Sequence, residues 1–406
     1  VKFLNNLGKQ PWARASTVLL ITSLLLIHPS TGTTFFQVIY CERLLCLVFM
    51  LYINAYLLHL KTRSNSTFYA TLLWALIGIY IKDIAILLFI IPPASIWAAN
   101  TINIRRKARH FSHYLPSFNR GQPLEHWLCS LSIVFITSYI ILALIPSSYA
   151  SEGAYNANAA FNIVFDLRFY LFALISTVRA IGIAKKKTHF HLLDAINISG
   201  FAYAFALAAT YELNTSSYLA LPFQLIATIN IAWAWIAIVE KGSNQNIRER
   251  KKIIGAALAS AIVIGVDHGT AKNTFINNIS EQKFEQSYVQ LTYEKLDEVS
   301  RTIRESGDNV NIIINTNSRL SAHRHLNRIP YTSLIEYMPN KEQFIVKDGA
   351  HKRSNYTPKV GDLIANLDKT ISLIEPILKN LETDLIYQHN PSERTGVIRR
   401  ITAIRQ

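Results

Sequence analysis

Long apolar segments separated by short polar loops fill the first two thirds of the chain, and this alternation restricts the fold more than any other feature. A helix needs about 20 residues to cross the hydrocarbon of a bilayer. Nine segments are long and apolar enough to span it or nearly so, at 13–28, 36–60, 67–82, 84–100, 127–146, 164–184, 191–211, 217–239 and 253–266. We therefore predict an all-α polytopic membrane bundle of about nine spans over residues 1–266.

The basic residues of the loops predict the orientation of this bundle. Every second loop carries a basic cluster, and these clusters lie at 61–63, 105–109, 185–187 and 248–252. The loops between them contain no lysine or arginine except Lys82. Basic loops stay in the cytoplasm, so we expect a protein of a bacterial inner membrane, in contact with its lipids, whose C-terminal part lies outside. The clusters also account for the formal net charge of +15, and nucleic acid is therefore not expected as a partner.

Residues 267–406 have the composition of a soluble domain. Helical spacing over Glu281–Glu305 ends at Ser306-Gly307, which is a helix-stop signal. Apolar runs typical of strands lie at 310–315, 343–346 and 360–365, and a second helical pattern lies at 371–385. We predict a small extracytoplasmic α/β domain here.

Two charged pairs interrupt the apolar segments. Glu42-Arg43 opens one hydrophobic stretch, and Lys82-Asp83 joins two others. An ionised side chain in hydrocarbon costs roughly 2.5–3.5 kcal/mol on insertion scales, so such residues usually serve a function. The predicted topology places both pairs at the outer face, where we expect the functional site. In the competing interpretation, Glu42 pairs with Arg43 and Lys82 with Asp83, and the pairs only anchor the ends of their helices.

Together with His28-Pro29, these pairs resemble a pattern of the GT-C superfamily of polytopic membrane glycosyltransferases, which includes protein O-mannosyltransferase-like enzymes. Those enzymes often show a His-Pro at the outer end of one helix, an arginine shortly after it, and a Lys-Glu or Lys-Asp near the top of a later helix. The match covers about residues 15–100. It implies transfer of a sugar from a polyprenyl-phosphate donor to an extracytoplasmic glycan, lipid or protein. The lipid-linked sugar is the donor substrate and no cofactor is expected, although a divalent metal stays an open alternative.

The resemblance assigns the donor phosphate to Arg43, Lys82 and His28. Preorganised positive charge stabilises the leaving phosphate, an effect typically worth several kcal/mol. Arg43 has a planar fork that can bind two phosphate oxygens, whereas Lys82 acts as a point charge.

An inverting transferase also needs a carboxylate that takes the proton of the acceptor hydroxyl. In the resembling enzymes this acid lies in the first outer loop, upstream of the His-Pro, but here no acidic residue precedes Glu42. Because the chain begins at Val1, we expect a member truncated at its N-terminus. Otherwise Glu42 or Asp83 is the catalytic residue.

A further charged pair, Asp166 and Arg168, lies at the outer end of the sixth segment and is expected to line the same cavity. No metal site is predicted, because the three cysteines match no zinc-binding pattern.

Two other functions remain open. An O-antigen-type glycan polymerase or ligase also has many spans, but usually carries its large outer loop between spans instead of at the terminus. A transporter or flippase tends to show paired repeats and polar groups at the membrane midplane, and this sequence has neither.

Overall fold

The computed structural model describes residues 13–34, 41–107, 123–144, 166–210, 218–240, 249–270, 273–315, 329–338, 343–348, 352–366, 378–390 and 395–404. The chain divides into two compact units, Val1–Ser280 and Glu281–Gln406. The division expected from the sequence, at 266/267, falls inside the last helix of the first unit.

The first unit is helical throughout the residues described. Its α-helices are α1 (Ala13–Leu26), α2 (Pro29–Thr34), α3 (Glu42–Thr62), α4 (Asn65–Ile81), α5 (Ile86–Lys107), α6 (Pro123–Tyr139), α7 (Leu167–Ala184), α8 (Leu192–Thr210), α9 (Leu221–Trp235) and α10 (Glu249–Thr270). Short 3₁₀ turns at Asp83–Ala85 and Tyr218–Ala220 precede α5 and α9, and π-helical turns at Ile140–Leu144 and Ile236–Glu240 follow α6 and α9.

Nine of these ten helices lie on the predicted apolar segments, whereas α2 lies between the first two. Seven of them, α3 and α5 to α10, are long and apolar enough to cross a membrane by length and composition, whereas α1 and α4 are shorter apolar helices. Large apolar side chains such as Leu142, Leu174 and Ile238 are exposed on the outer faces, as expected of a bundle surrounded by lipid. The first unit therefore has the features of an integral membrane bundle.

Two prolines, Pro92 and Pro93, lie inside α5 without ending it. A proline lacks the N–H that would bond the carbonyl four residues earlier, so Pro93 cannot satisfy the carbonyl of Phe89. The hydroxyl of Tyr52, on α3, donates to that carbonyl at 3.1 Å. Membrane bundles tolerate prolines where a neighbouring helix satisfies the freed group in this way.

Contacts between helices show which helix ends lie together. Tyr139, at the C-terminus of α6, donates to Asp83 just after α4. Tyr56, near the C-terminus of α3, donates instead to Glu125 in the first turn of α6. Asp83 and Glu125 therefore lie at opposite ends of the bundle.

Helix α8 connects this part of the bundle to α7. Asp194, in its first turn, binds Arg179 near the C-terminus of α7, while Phe201 further along contacts Phe169 near the start of α7. The two helices are thus antiparallel, and α8 also packs against the 3₁₀ turn at Asp83. The start of α7 therefore lies at the same end as Asp83. We call this the Lys82 end, and the opposite one the Lys185 end.

The second unit combines most of α11 (Phe275–Glu305) with a sheet of seven strands in the described residues. Its strands are β1 (Asn311–Asn315), β2 (Ser333–Met338), β3 (Gln343–Asp348), β4 (Lys352–Tyr356), β5 (Leu363–Asn366), β6 (Leu381–Asn390) and β7 (Thr395–Ile404), and their order is β4-β3-β2-β1-β5-β7-β6. The central strand β1 pairs in parallel with β2 and β5, and the remaining pairs are antiparallel. Ile312 of β1 packs with Leu296 of α11, whereas Ile313 faces a second core on the other side of the sheet.

The α/β architecture predicted for this unit is confirmed, with one correction. The helix predicted over 371–385 is wrong at its C-terminal end, where β6 begins at Leu381; residues 371–377 lie outside the described residues. The pairing of β6 with β7 decides its conformation. The predicted strand runs fall on β1, β3 and β5, while β2, β4, β6 and β7 were not anticipated.

Candidate functional site

A buried ion pair joins the two charged dipeptides of the sequence. The ammonium Nζ of Lys82 lies 2.5 Å from Oε1 of Glu42. The side chain of Glu42 is 2% exposed and that of Lys82 is 13% exposed. Glu42 therefore pairs with a residue 40 positions away instead of with the neighbouring Arg43, which is an exposed residue at the same end.

Asp83 follows Lys82 and has different surroundings. Its Oδ2 accepts a hydrogen bond from the hydroxyl of Tyr139 at 3.2 Å, and its Oδ1 accepts from the backbone N–H of Ile84 at 2.7 Å. Asp83 is only partly buried. Its hydrogen bonds fix the carboxylate in one orientation while part of the residue stays accessible.

A cleft of about 440 Å³ opens beside these residues, between the ends of α4 and α6. Its polar lining residues are Lys82, Asp83, Ser138 and Tyr139. Its apolar lining residues are Ile79, Tyr80, Ile81, Phe135 and Leu142. We refer to Glu42, Lys82, Asp83 and Tyr139 as the cleft cluster. The cleft thus offers a cation and a carboxylate beside an apolar wall.

Two buried polar atoms near the cleft cluster lack a hydrogen-bond partner among the residues described. They are Oε2 of Glu42 and the hydroxyl of Tyr203 on α8. Glu42 is among the charged groups that act electrostatically on Tyr203. Buried polar groups are nearly always satisfied in native proteins, but atoms without such a partner also occur elsewhere among the described residues, for example Nη2 of Arg168.

A second network occupies the same end of the bundle. Nε2 of His28 lies 3.0 Å from Oδ2 of Asp166, which also accepts from the side-chain amide of Gln224 at 2.5 Å. Asp166 caps α7, because its Oδ1 accepts from the backbone N–H of Phe169 at 3.0 Å. Such a cap satisfies one of the free N–H groups at a helix start. These bonds connect the end of α1 with the starts of α7 and α9.

Arg168 extends this network to α10. Its Nε donates to Oδ2 of Asp267 at 2.5 Å, and one terminal nitrogen donates to the carbonyl of Leu24 on α1. Asp267 also accepts from the backbone N–H of Leu167 at 3.0 Å. The side chains of Arg168 and Asp267 are 0% and 1% exposed. We refer to His28, Asp166, Arg168, Gln224 and Asp267 as the latch network.

The latch network contains the group of potential metal ligands found in the described part of the chain. The ligand atoms of His28, Asp166 and Asp267 all lie within 4.8 Å of one another. However, the backbone N–H of Ser30 donates to Nδ1 of His28 at 3.1 Å, so the ring proton lies on Nε2, which faces Asp166. A protonated nitrogen cannot coordinate a metal, and Arg168 holds a permanent positive charge against Asp267. The arrangement fits a hydrogen-bonded clamp better than a metal centre.

The structure therefore separates the seven predicted site residues into two sets. Glu42, Lys82 and Asp83 come together at a cleft, and Arg43 lies at the same end of the bundle. His28, Asp166 and Arg168 are buried in the latch network, and the cavity-lining role of Asp166 and Arg168 stays a prediction.

Sequence reasoning missed three members of the cleft cluster and the latch network, and also Tyr203 beside them. The three members are Tyr139, Gln224 and Asp267. The last apolar segment, 253–266, predicts a span that ends before Asp267, but α10 continues to Thr270 and buries this residue. Its carboxylate after a long apolar run was the one available signal. Tyrosine and glutamine are too common in helices to stand out.

No protein-family model, curated protein or solved structure matches this chain. The interpretation of the site therefore rests on its geometry and chemistry.

Proposed function

We propose that the protein is an integral-membrane glycosyltransferase that transfers a sugar from a polyprenyl-phosphate donor to an extracytoplasmic acceptor. The observation that carries this proposal is the cleft cluster, in which a lysine and a carboxylate border one cleft at the end of an apolar bundle. In the proposed topology nine helices span the membrane, and the Lys82 end and the second unit face outwards.

The cleft suits a ligand that is part lipid and part phosphate. Ile79, Phe135 and Leu142 supply an apolar wall, and Lys82 stands at the cleft as a cation. A phosphate at headgroup level would replace part of the contact between Lys82 and Glu42. Arg43, exposed at the same end, adds a second cation within reach of a headgroup.

The proposed reaction breaks the bond between the sugar C1 and the phosphate oxygen and forms a bond from C1 to the acceptor oxygen. The leaving phosphate keeps the electron pair, and Lys82 and Arg43 stabilise its charge. Asp83 takes the proton of the acceptor hydroxyl. Asp83 is better placed for this role than Glu42, because it lines the cleft, whereas Glu42 is buried against Lys82.

The latch network has a supporting role in this proposal. Because both ring nitrogens of His28 are engaged with protein groups, we assign His28 to holding helices together and not to the donor phosphate. Asp166 and Arg168 do the same for α7.

The test measures binding of a polyprenyl phosphate to the purified full chain. The double variant Glu42→Gln/Lys82→Met removes both charges, so that no buried charge is left unpaired. A hydrogen bond to a charged group contributes about 1.5–3 kcal/mol, and we expect binding to weaken about 10- to 100-fold.

Glu125→Gln is the matched control, because this buried glutamate bonds Tyr56 at the opposite end of the bundle. It should bind the polyprenyl phosphate as the unmodified chain does. Unchanged binding by the double variant, with the fold intact, would contradict the proposal.

A further inference from the structure

A second cleft lies between α7 and α8 and extends towards the Lys185 end, away from the cleft cluster. Its volume is about 420 Å³. Its lining includes Ser176, Ala180 and Ala184 of α7 with Ile198 and Phe201 of α8 and the preceding Phe190. We call it the α7/α8 groove. The remaining lining residues are Ile183 and the polar Thr177, Asp194 and Asn197. Six of the ten lining residues are thus apolar, which suits a hydrocarbon chain.

The walls of the α7/α8 groove are held firmly. Arg179 of α7 binds both carboxylate oxygens of Asp194 on α8, at 2.5 and 2.7 Å. The guanidinium also lies 4.9 Å from the ring centroid of Trp233 on α9. Asp194 lines the groove, but Arg179 neutralises it. The acidic residue therefore does not repel an anion from the groove.

Three exposed lysines stand where α7 ends and the groove approaches the surface. Lys185, Lys186 and Lys187 form a tight turn, in which the N–H of Lys187 bonds the carbonyl of Gly182 at 2.9 Å. Lys186 adopts a positive φ of 58°. The turn is therefore ordered, and it places three exposed lysines directly after Ala184, which lines the groove.

We infer that the α7/α8 groove binds one acyl chain of an anionic phospholipid, whose phosphate lies against Lys185–Lys187. A free phosphate would leave the apolar groove empty, and a zwitterionic lipid would leave the lysine charges without a counterpart. Basic pockets between helices at a membrane surface bind anionic headgroups by the same combination of charges. The inference needs a membrane bundle but does not depend on the proposed glycosyltransferase.

The test uses native mass spectrometry on the full chain, relipidated with phosphatidylglycerol or phosphatidylcholine. The unmodified protein should retain phosphatidylglycerol preferentially. The triple variant Lys185→Gln/Lys186→Asn/Lys187→Gln uses asparagine at the positive-φ position, which asparagine tolerates well. Each lysine contributes about a fivefold preference for an anionic lipid, so the variant should lose about a hundredfold.

The matched control removes three charges from α10, with Arg250→Gln/Lys251→Gln/Lys252→Gln. These residues lie at the start of α10, which contributes no residue to the groove, whereas Lys185 directly follows the lining residue Ala184. The control should therefore keep the preference for phosphatidylglycerol. If it loses that preference as the Lys185–Lys187 variant does, general surface charge explains the result and the inference fails.

A second variant tests the groove itself. Ala180 is exposed and lines the groove, so Ala180→Trp should fill it without disturbing the core. Retention of both lipids should then fall. Full retention of phosphatidylglycerol by Ala180→Trp, or its displacement by an equal concentration of soluble glycerol phosphate, would show that the headgroup binds alone and would overturn the inference.

Discussion

The latch network and the cleft cluster lie at the same end of the bundle, and each combines acidic with basic side chains, yet they differ in access. Arg168 and Asp267 are sealed, and most of their polar atoms bond to protein. Lys82 and Asp83 border a cleft instead. A charged residue in an apolar segment therefore marks one of two kinds of site. Burial with most polar atoms paired indicates a clamp, and an accessible charge at a cleft indicates a binding site.

The largest effect should follow from opening the latch network. Arg168→Met leaves Asp166 and Asp267 buried without their cation, and breaking a buried ion pair in this way costs about 3–5 kcal/mol. We expect the free energy of unfolding in detergent to fall by that amount. The double variant Arg168→Met/Asp267→Leu should recover most of the loss, because it leaves fewer charges unpaired.

Lys251→Met is the control for this experiment, since Lys251 is exposed on the same helix as Asp267. It should change the free energy of unfolding by less than about 0.5 kcal/mol. If Arg168→Met were as stable as Lys251→Met, the latch network would not clamp the helices.

The next-largest effect is on activity and distinguishes the cleft cluster from the latch network. Asp83→Asn keeps the size of the side chain but removes the proposed base, and general base catalysis contributes about a hundredfold or more. We expect release of polyprenyl phosphate from a polyprenyl-phosphate sugar to slow by that factor, while binding of polyprenyl phosphate and the unfolding temperature stay close to those of the unmodified chain. Full turnover by Asp83→Asn would remove Asp83 from the mechanism.

The sequence predicted the apolar helices and the charged positions well, because hydrophobicity and charge are properties of short segments. The sequence could not predict which charged residues pair with each other. Glu42 has an adjacent arginine, but its position at the start of α3 turns it towards Lys82, which only the packing of α3 on α4 brings near. Asp267 likewise depends on α10 meeting the start of α7.

In the second unit, contacts between segments likewise decide a strand that the sequence did not predict. The spacing of Leu381 and Leu385 suits a helix, but the segment pairs with β7 from Ile404 to Thr395. The preference of a segment for a strand depends on packing against its cross-strand neighbours, so the spacing within one segment misleads there. The compact run Val310–Asn315 was recognised because β1 is buried on both faces, which leaves a continuous apolar signature.

An uncharged contact in the core of the bundle should have a smaller effect than the latch network. Tyr52→Phe leaves the carbonyl of Phe89 unsatisfied beside Pro93, which costs about 1–3 kcal/mol. Pro93→Ala restores an N–H for the same carbonyl. We therefore expect Tyr52→Phe to cost less in the Pro93→Ala background, measured as free energies of unfolding in a double-mutant cycle. Equal costs in both backgrounds would show that Tyr52 does not compensate for the N–H that Pro93 lacks.

A milder change tests how the cleft cluster positions its base. Tyr139→Phe removes the hydrogen bond to Asp83 without removing the carboxylate. A hydrogen bond contributes about 1 kcal/mol net, so turnover should fall about fivefold. The affinity for polyprenyl phosphate should not change. An unchanged rate would mean that the bond from the N–H of Ile84 orients Asp83 without help.

The smallest effect concerns a polar cluster that faces water instead of lipid. In the second unit the hydroxyl of Tyr356 donates to Asp362 at 2.8 Å, and the side-chain amide of Asn311 donates to both residues. Burial and the carboxylate of Asp362 raise the pKa of Tyr356 above the ordinary value for tyrosine. Because the pKa is higher in the folded state, the contribution of Tyr356 to stability is complete below about pH 10 and is lost as the pH rises above it.

We expect the urea concentration at which the β1 amides lose protection to fall between about pH 10 and pH 11 in vesicle-bound protein. In Tyr356→Phe, which has no phenol to ionise, that fall should be smaller. The ionisation matters here because Tyr356 is only partly buried. The same decline in both proteins would mean that another group controls the stability of the sheet at high pH.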